Sequence, residues 1–513
     1  MLLVGLTVRL APLTSDQRTI AAISEDGYLM LTVARNVALG RSLTIAEGTI
    51  ATNGVQPLVT YLWAGLHWLR GSQRMATLRS VVVVQLVIAI VTAILVALLA
   101  REAFRTHPWR DVGALLAGSL WFGSPLALRH TTNGLETGVY ACFIATVLLV
   151  DAKWRARSFV RAAVLGVLLG TVFLVRVDAV FFIAVFLLLD WAGASSGRGR
   201  LTHSVVSALF ALAVASPWLI YNARMFGHIV PVSGRAQNLN AQFAENLPAV
   251  PRVLAEYVWM ATPLPAILAD GWLAALLTTV ALSAFVVITI LRMRRLGLRL
   301  ERWMTLVIVP AALLAAYYGI FFGAAYFLSR YLFPIALMSV LLPVVWVMPD
   351  AHGSDRPPAF RSLLITAALT VLVGVSAQRL YARSAQHDHA QVVQWVAEHL
   401  TAGTWVGAPQ SGTLGYFHER TINLDGKVNP QALQARRDNR LFAYVVRDTP
   451  IEYIADWYGL ARWVDHPETV REEQDATLLQ RFFAVVVRDP ARNLVVLRRK
   501  DRPATMPQPA PAQ

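Results

Sequence analysis

Ser24-Glu25-Asp26-Gly27-Tyr28, running on through Ala34-Arg35-Asn36 to Thr52-Asn53-Gly54-Val55-Gln56-Pro57, decides how the rest of the chain is read. Two adjacent carboxylates precede an amphipathic stretch and a Gly/Asn-rich turn, all between apolar segments. Acids beside a bilayer are costly to desolvate, so they pair or do chemistry. Tyr28-Leu29-x-Leu31-x-x-Ala34-Arg35 has helical spacing. Ser24 is placed to cap that helix, with Glu25 and Asp26 in its first turn, where the dipole favours anions. The stretch reads either as the catalytic loop of a membrane enzyme or as a loop whose acids only start a helix.

The surroundings favour a membrane protein. Of 513 residues, 56% are hydrophobic and 15% charged; a soluble domain is nearer about 25% charged. Many apolar runs approach the roughly 20 residues that span hydrocarbon. A net charge of +15 raises nucleic acid as a partner. The basic residues sit in short loops between apolar runs, so orientation in the bilayer accounts for them without one. Cys142 is the sole cysteine and lies in an apolar run, so no internal disulfide forms.

Met1 to Leu13 reads as a shortened first transmembrane helix; it lacks the basic start and cleavage site of a signal peptide. Residues 14–79 form the first outer loop. Within it, 57–69 is apolar but too short to span, and lies at the interface with Trp63, Trp68 and Arg70 as anchors. Further spans are expected at 81–100, 112–128, 137–150, 161–175, 179–191, 204–221, 271–291, 304–323, 331–348 and 361–377. The fold class is therefore a polytopic α-helical membrane protein with about 11 transmembrane helices. Arginines and lysines crowd alternate loops, among them Arg101/Arg105/Arg110, Lys153/Arg155/Arg157 and Arg292/Arg294/Arg295. That bias sets the N-terminus in the cytoplasm of a cell membrane and puts 14–79, 222–270 and the tail outside.

From 378 the pattern changes. An amphipathic helix over His389–His399 alternates with short strands near Thr404–Ala408, Thr421–Leu424, Ile451–Ile454, Phe483–Val487 and Leu494–Leu497. Residues 378–502 read as a small extracytoplasmic α/β domain following a membrane domain at 1–377. Residues 503–513, rich in Pro, Ala and Gln, read as a disordered end.

Glu25-Asp26-Gly27-Tyr28, Ala34-Arg35-Asn36 with Gly40, and Thr52-Asn53-Gly54-Val55-Gln56-Pro57-Leu58 resemble the first outer loop of the GT-C superfamily. These are polytopic transferases that use polyprenyl-phosphate sugars. Asn133-Gly134-Leu135-Glu136-Thr137, Arg176-Val177-Asp178 and Ser329-Arg330-Tyr331-Leu332-Phe333-Pro334 resemble further motifs of that group. The tail segments Gly412-Thr413-Leu414-Gly415-Tyr416-Phe417 and Ile422-Asn423-Leu424-Asp425-Gly426-Lys427-Val428-Asn429 are similar to a subgroup with an extracytoplasmic C-terminal domain, that of the actinobacterial terminal arabinofuranosyltransferases. Related sequences usually carry Asp-Asp where this chain has Glu25-Asp26, which leaves the role of the first acid in question.

The resemblance implies an inverting glycosyltransferase. It would move a hexosyl or pentosyl group from a polyprenyl-phosphate donor to a cell-envelope glycan, lipid or protein at the outer face. Asp26 is then the general base and Glu25 its support. Arg330 is the first choice for the lipid phosphate. Arg176 is the second, with a salt bridge to Asp178 that pins the corner as the ordinary alternative. Glu136, Asn53, Gln56 and Tyr331 complete the substrate-binding set. Asn53 and Gln56 otherwise shape a turn with Gly54, and Glu136 otherwise serves a helix start. Trp405, Tyr416, Asn423 and Asp425 offer the tail an acceptor-binding surface. No cofactor is assigned; a divalent metal stays open, and His387-Asp388-His389 reads more simply as a solvated run. No P-loop or dinucleotide fingerprint is present. Two other classes stay open: a transporter or flippase for lipid-linked sugars, and a non-catalytic glycan-binding membrane protein.

Overall fold

The computed structural model describes residues 1–193, 197–239, 241–259, 271–298, 301–322, 325–349, 368, 375, 387–458 and 473–502. The expected span 361–377, two positions excepted, and the end 503–513 lie outside these residues. Residue contacts divide the chain into two units. The first takes the described residues of Met1–Thr14, Val82–Ile220 and Asn240–Ala385; the second takes those of Ser15–Val81, Tyr221–Leu239 and Gln386–Gln513.

The first unit is helical. Arg74–Ala103, Thr202–Phe226, Gly271–Arg295 and Arg302–Phe321 are long and apolar enough to cross a membrane; a fifth span results if Arg110–Gly123 and Pro125–Thr131, bent by 54°, count as one. The protein is thus a multi-pass membrane protein; among the described residues four or five helices reach full span length, which leaves the sequence's count of about 11 unconfirmed. Several of the other expected spans are shorter helices. Thr137–Lys153 and Phe159–Val175 have 17 residues each and Val180–Ala192 has 13. At 1.5 Å per residue these reach about 26 and 20 Å, short of the roughly 30 Å hydrocarbon layer. The stretch 331–348 is a chain of short helical pieces, Phe333–Ile335, Ala336–Ser339 and Leu341–Val347. Pro334 and Pro343 remove backbone donors there. Trp272, Leu273, Leu276, Leu277 and Val280 stand exposed on Gly271–Arg295, as a lipid-facing helix requires.

Small residues let these helices approach. A Cβ on Gly166 would lie 2.5 Å from the Ser207 carbonyl, and one on Gly170 2.6 Å from that of Ala211. The two glycines, four apart on Phe159–Val175, let the next long helix in at backbone contact. Charge fastens the helix ends. Asp151 takes Arg161 at 2.6 Å and Arg302 at 2.9 Å, while Asp190 takes His203 at 2.8 Å and lies 3.6 Å from both arginines. Five helices meet in this buried lattice.

The second unit joins the first loop to the tail. Ser24 caps Glu25–Ala38 by accepting the Gly27 N–H, and both acids lie in its first turn, as the sequence predicts. Pro57–Leu69 packs against this helix. Trp63 is wholly buried there, whereas the other expected interface anchors, Trp68 and Arg70, are exposed, Arg70 donating through Nε to the Ser80 hydroxyl at 2.8 Å. Strands Thr44–Ile45 (β1) and Ile50–Ala51 (β2) form a short hairpin. The tail holds a five-stranded sheet of Val406–Ala408 (β3), Thr421–Asn423 (β4), Tyr453–Asp456 (β5), Phe483–Asp489 (β6) and Leu494–Arg499 (β7). Its order is β4-β3-β5-β7-β6, with β4, β3 and β5 parallel and β7 and β6 antiparallel. Each strand falls where apolar alternation puts one. Val392 and Val396 of Ala390–His399 pack with Val406, Ala408, Ala455 and Val496 in one core.

Candidate active site

The carboxyl ends of β3, β4 and β5 are the edge at which open α/β sheets take ligands. Here that edge holds the first turn of Glu25–Ala38. The chain leaves β3, turns at Pro409-Gln410-Ser411 and starts the six-residue helix Gly412–Phe417. The Glu25 carboxylate accepts from the N–H groups of Gly412 and Thr413, the latter at 3.0 Å, and from the Thr413 hydroxyl. It thereby satisfies backbone donors that every helix start leaves open. Gly412 has to be glycine, because a Cβ would lie 2.0 Å from the Glu25 carbonyl oxygen. Burial raises the Glu25 carboxyl above its ordinary range, against the pull of the Thr413 and Gly412 donors and of His387. Asp456, at the end of β5, accepts from the N–H groups of Gln410 at 2.7 Å and Trp457 at 2.6 Å, and burial holds its carboxyl well above the usual range.

Asp26 points elsewhere, as neighbours in a helical first turn must. Its Oδ1 lies 3.3 Å from Lys427 Nζ, which lies 3.7 Å from Asp425 Oδ2. The Lys427 loop is built. Its N–H donates to Asp425 Oδ1 at 2.8 Å, Gly426 N–H donates to Asn423 Oδ1 at 3.0 Å, and Asn429 donates to the Asn423 carbonyl at 2.8 Å. Gly426 has φ +84°, a conformation glycine adopts without strain. The Gly/Asn turn of the first loop lies against it: a Cβ on Gly54 would fall 2.1 Å from the Lys427 carbonyl oxygen.

Asn53 is fully buried. Its Oδ1 accepts the Val232 N–H at 2.9 Å, while its Nδ2 has no hydrogen-bond partner among the described residues. Gln56 precedes Pro57–Leu69, and its carbonyl accepts from Thr60. Glu419 gathers Arg35, Arg41 and Arg74 at 2.8, 2.8 and 3.2 Å. Tyr416 and Asn423 are buried, and Tyr416 donates to the Arg74 carbonyl, so neither presents an open face to a glycan. His387 donates Nε2–H to the Ile23 carbonyl at 3.0 Å, and its Nδ1 accepts from the His389 N–H. His389 is buried, with its ring stacked 4.2 Å from Trp457. The two histidines are therefore packed, while Asp388 between them is exposed. Among the described residues no group of three or more His, Cys, Asp or Glu is placed to hold a metal ion.

The remaining expected residues lie in the first unit. Arg176 is buried between Phe159–Val175 and Val180–Ala192. It donates to both oxygens of Asp178 at 2.9–3.1 Å and to the Arg330 carbonyl at 3.2 Å, with Tyr331 stacked on it at 4.6 Å. Tyr318 donates to Asp178 at 2.8 Å and stacks on Tyr331 at 4.2 Å. Glu136, buried at the start of Thr137–Lys153, lies 3.7 Å from Arg176. The guanidinium of Arg176 is thus engaged in holding its corner. Arg330 is half-buried, its guanidinium over Phe327 at 5.1 Å and Tyr331 at 5.4 Å.

ArnT from Cupriavidus metallidurans bound to undecaprenyl phosphate superposes with TM-score 0.55 at 12% identity, over 96% of this chain and 97% of that one. The archaeal oligosaccharyltransferase AglB from Archaeoglobus fulgidus, in complex with an inhibitory peptide and a dolichol-phosphate, gives 0.54 at 13% identity over 98% and 74%. The apo form of the Archaeoglobus fulgidus oligosaccharyltransferase gives 0.54 at 14% over 94% and 73%. The chain has the GT-C fold. Within that fold, residues 378–498 match a family model described as a domain of unknown function (DUF8728). No curated protein matches the chain in sequence.

Lys427 and Thr413 are given no role by the sequence, and His387 is read there only as part of a solvated run. Lys427 stood inside the quoted Asp425-Gly426-Lys427 turn, but a single lysine in a turn carries no signal until its partner is seen. Thr413 and His387 act on Glu25 from more than 360 residues away in the chain.

Proposed function

We propose that this protein is an inverting glycosyltransferase that moves a sugar from a polyprenyl-phosphate donor to a cell-envelope acceptor at the outer membrane face. The observation that carries the reading is the division of labour in the acid pair. Glu25 is taken up by Gly412 and Thr413, and Asp26, partly exposed, points away to lie 3.3 Å from the Lys427 ammonium. An acceptor hydroxyl attacks the anomeric carbon, the bond from that carbon to the phosphate oxygen breaks, and the lipid phosphate leaves with the electron pair. Asp26 takes the hydroxyl proton as the new bond forms. Inversion follows from a single displacement. Arg330 keeps the role the sequence suggests, a cation for the phosphate, and Asn53 shapes the loop beside the acid.

Grouping of the first loop, residues 221–239 and the tail in one unit supports the arginine-based orientation, which puts all three segments outside. The tail domain, on this reading, positions the acid helix. The GT-C fold supports a lipid-linked donor, because ArnT and AglB are seen with polyprenyl phosphates.

The test is a comparison of membrane lipids from cells with the wild-type protein, without it, and with Asp26→Asn. One polyprenyl-phosphate sugar should accumulate in the last two. An identical lipid-phosphate profile in all three contradicts the reading.

A further inference from the structure

We propose that Glu419 is a positioning residue: it fastens the acid helix Glu25–Ala38 to the head of the membrane span Arg74–Ala103, and so sets the height of Asp26 at the bilayer. This rests on the glycosyltransferase reading of the same site and adds what holds the base against a donor anchored in the membrane.

The tail runs along the acid helix and holds it at both ends. At the first turn Glu25 takes the N–H groups of Gly412 and Thr413. One turn on, the Tyr28 ring lies 5.3 Å from that of Tyr416 and 6.0 Å from that of Phe417. At the last turn Arg35 donates to Glu419 Oε1 at 2.8 Å. Arg41, from the loop that leaves the helix, donates to Oε2 at 2.8 Å. Arg74 donates to Oε1 at 3.2 Å, and its Nε donates to the Tyr416 carbonyl at 2.7 Å. Arg74 is the first residue of a helix long and apolar enough to cross a membrane. The acid helix, its exit loop and the head of a span therefore meet on one carboxylate.

Charge makes the joint depend on Glu419. Among the described residues no other acid pairs with Arg35, Arg41 or Arg74. Against the effect of burial, Arg41 and Arg35 hold the Glu419 carboxyl below its ordinary range, so it stays ionised at neutral pH. Without that charge, three guanidiniums face one another and repel. The Glu25 contact ties the acid helix to the tail; the Glu419 joint ties both to the span head. The reaction is sensitive to such a tie. A lipid-linked donor is fixed in depth by its chain, while Asp26 rides on a helix outside the span. Misplacing a reacting group by about 1 Å costs up to about 10²-fold in rate.

The experiment measures sugar transfer from a polyprenyl-phosphate sugar by the full-length protein in nanodiscs, with turnover counted per folded molecule. Glu419→Gln keeps size and an acceptor oxygen but loses the charge. Arg35→Met cuts the joint from the helix side and leaves Glu419 with Arg41 and Arg74. Both should lower kcat about ten- to a hundredfold with the donor KM unchanged. A merely structural role would lower the folded yield and leave kcat per folded molecule alone. Wild-type kcat in either folded variant, or a raised donor KM at wild-type kcat, overturns the proposal. If Glu419→Gln does not fold, Arg35→Met decides alone. A second reading needs no activity: the distance between spin labels at Leu39→Cys and Gln73→Cys, two exposed positions, in a Cys142→Ser background. It should be single and narrow with Glu419 present and broad in Glu419→Gln or Arg35→Met; equal widths overturn the joint. A wild type that transfers no sugar from the lipid-linked donor would sink the glycosyltransferase reading, and the label distance would still decide the joint.

Discussion

Two groups of charged side chains are built to opposite ends. The lattice of Asp151, Arg161, Asp190, His203 and Arg302 is closed: its contacts reach 2.6–2.9 Å and both carboxylates are at most 3% exposed. The Asp26–Lys427 pair is open, at 3.3 Å and partly wet. A closed network resists loss of any member, since each removal strands a buried charge. A longer, single-contact pair contributes less stability. The first is what helix ends need to stay together, and the second is what a base needs to stay available. Glu25 sits between these cases, docked on backbone donors at the tail's strand ends.

The comparison can be broken in four places. Asp151→Ala should cost about 3–5 kcal/mol by stranding Arg161 and Arg302, read as earlier unfolding in detergent; unaltered unfolding would mean the lattice is decorative. Glu25→Ala leaves the Gly412 and Thr413 donors without their acceptor and should cost on the order of 2–4 kcal/mol. Hydrogen exchange at those two amides should speed up, and unchanged protection would deny the docking.

The third break is by pH. Burial lowers the His389 pKa to about 3, below the roughly 6.5 of an unfolded chain. The unfolded state therefore takes the proton first, so the contribution of neutral His389 is full above about pH 6.5 and falls on acidification, while the raised carboxyls of Glu25 and Asp456 act in the opposite direction. At pH 5 His389 alone should cost about 2 kcal/mol. His387 and His418, also lowered by burial, add in the same direction. His389→Phe, which keeps a ring against Trp457, should flatten the fall between pH 7 and 5; an unchanged slope would put the titration elsewhere. The smallest effect belongs to the open pair. Lys427→Met should shift unfolding by less than about 1 kcal/mol, and a loss as large as that of Asp151→Ala would make the pair structural.

Local signals carried well in this sequence. Ser24 as a cap, the acids in the first turn, and all five tail strands follow from side-chain chemistry and apolar alternation within a few residues. At 331–348 the apolar run hides Pro334 and Pro343, and the stretch forms a shorter run of helical pieces within Phe333–Val347. Trp63 reads as an anchor because hydropathy cannot separate a ring facing lipid from one buried in the protein; only packing does. The departure from Asp-Asp at Glu25 was visible, but its reason was not. Glutamate is one methylene longer, and that reach takes its carboxylate to Gly412 and Thr413, some 387 positions on. Contacts of that sequence separation leave no local periodicity to read.

The account turns on which acid does the chemistry. The direct measurement is sugar transfer in nanodiscs, with a polyprenyl-phosphate sugar donor, by the wild type, Asp26→Asn and Glu25→Gln. Asp26→Asn should lose about 10²–10⁴ in turnover while still binding donor. Glu25→Gln, which keeps an acceptor oxygen for the tail helix, should retain measurable transfer and show its defect in stability. Near wild-type turnover by Asp26→Asn beside a dead, folded Glu25→Gln would contradict the assignment.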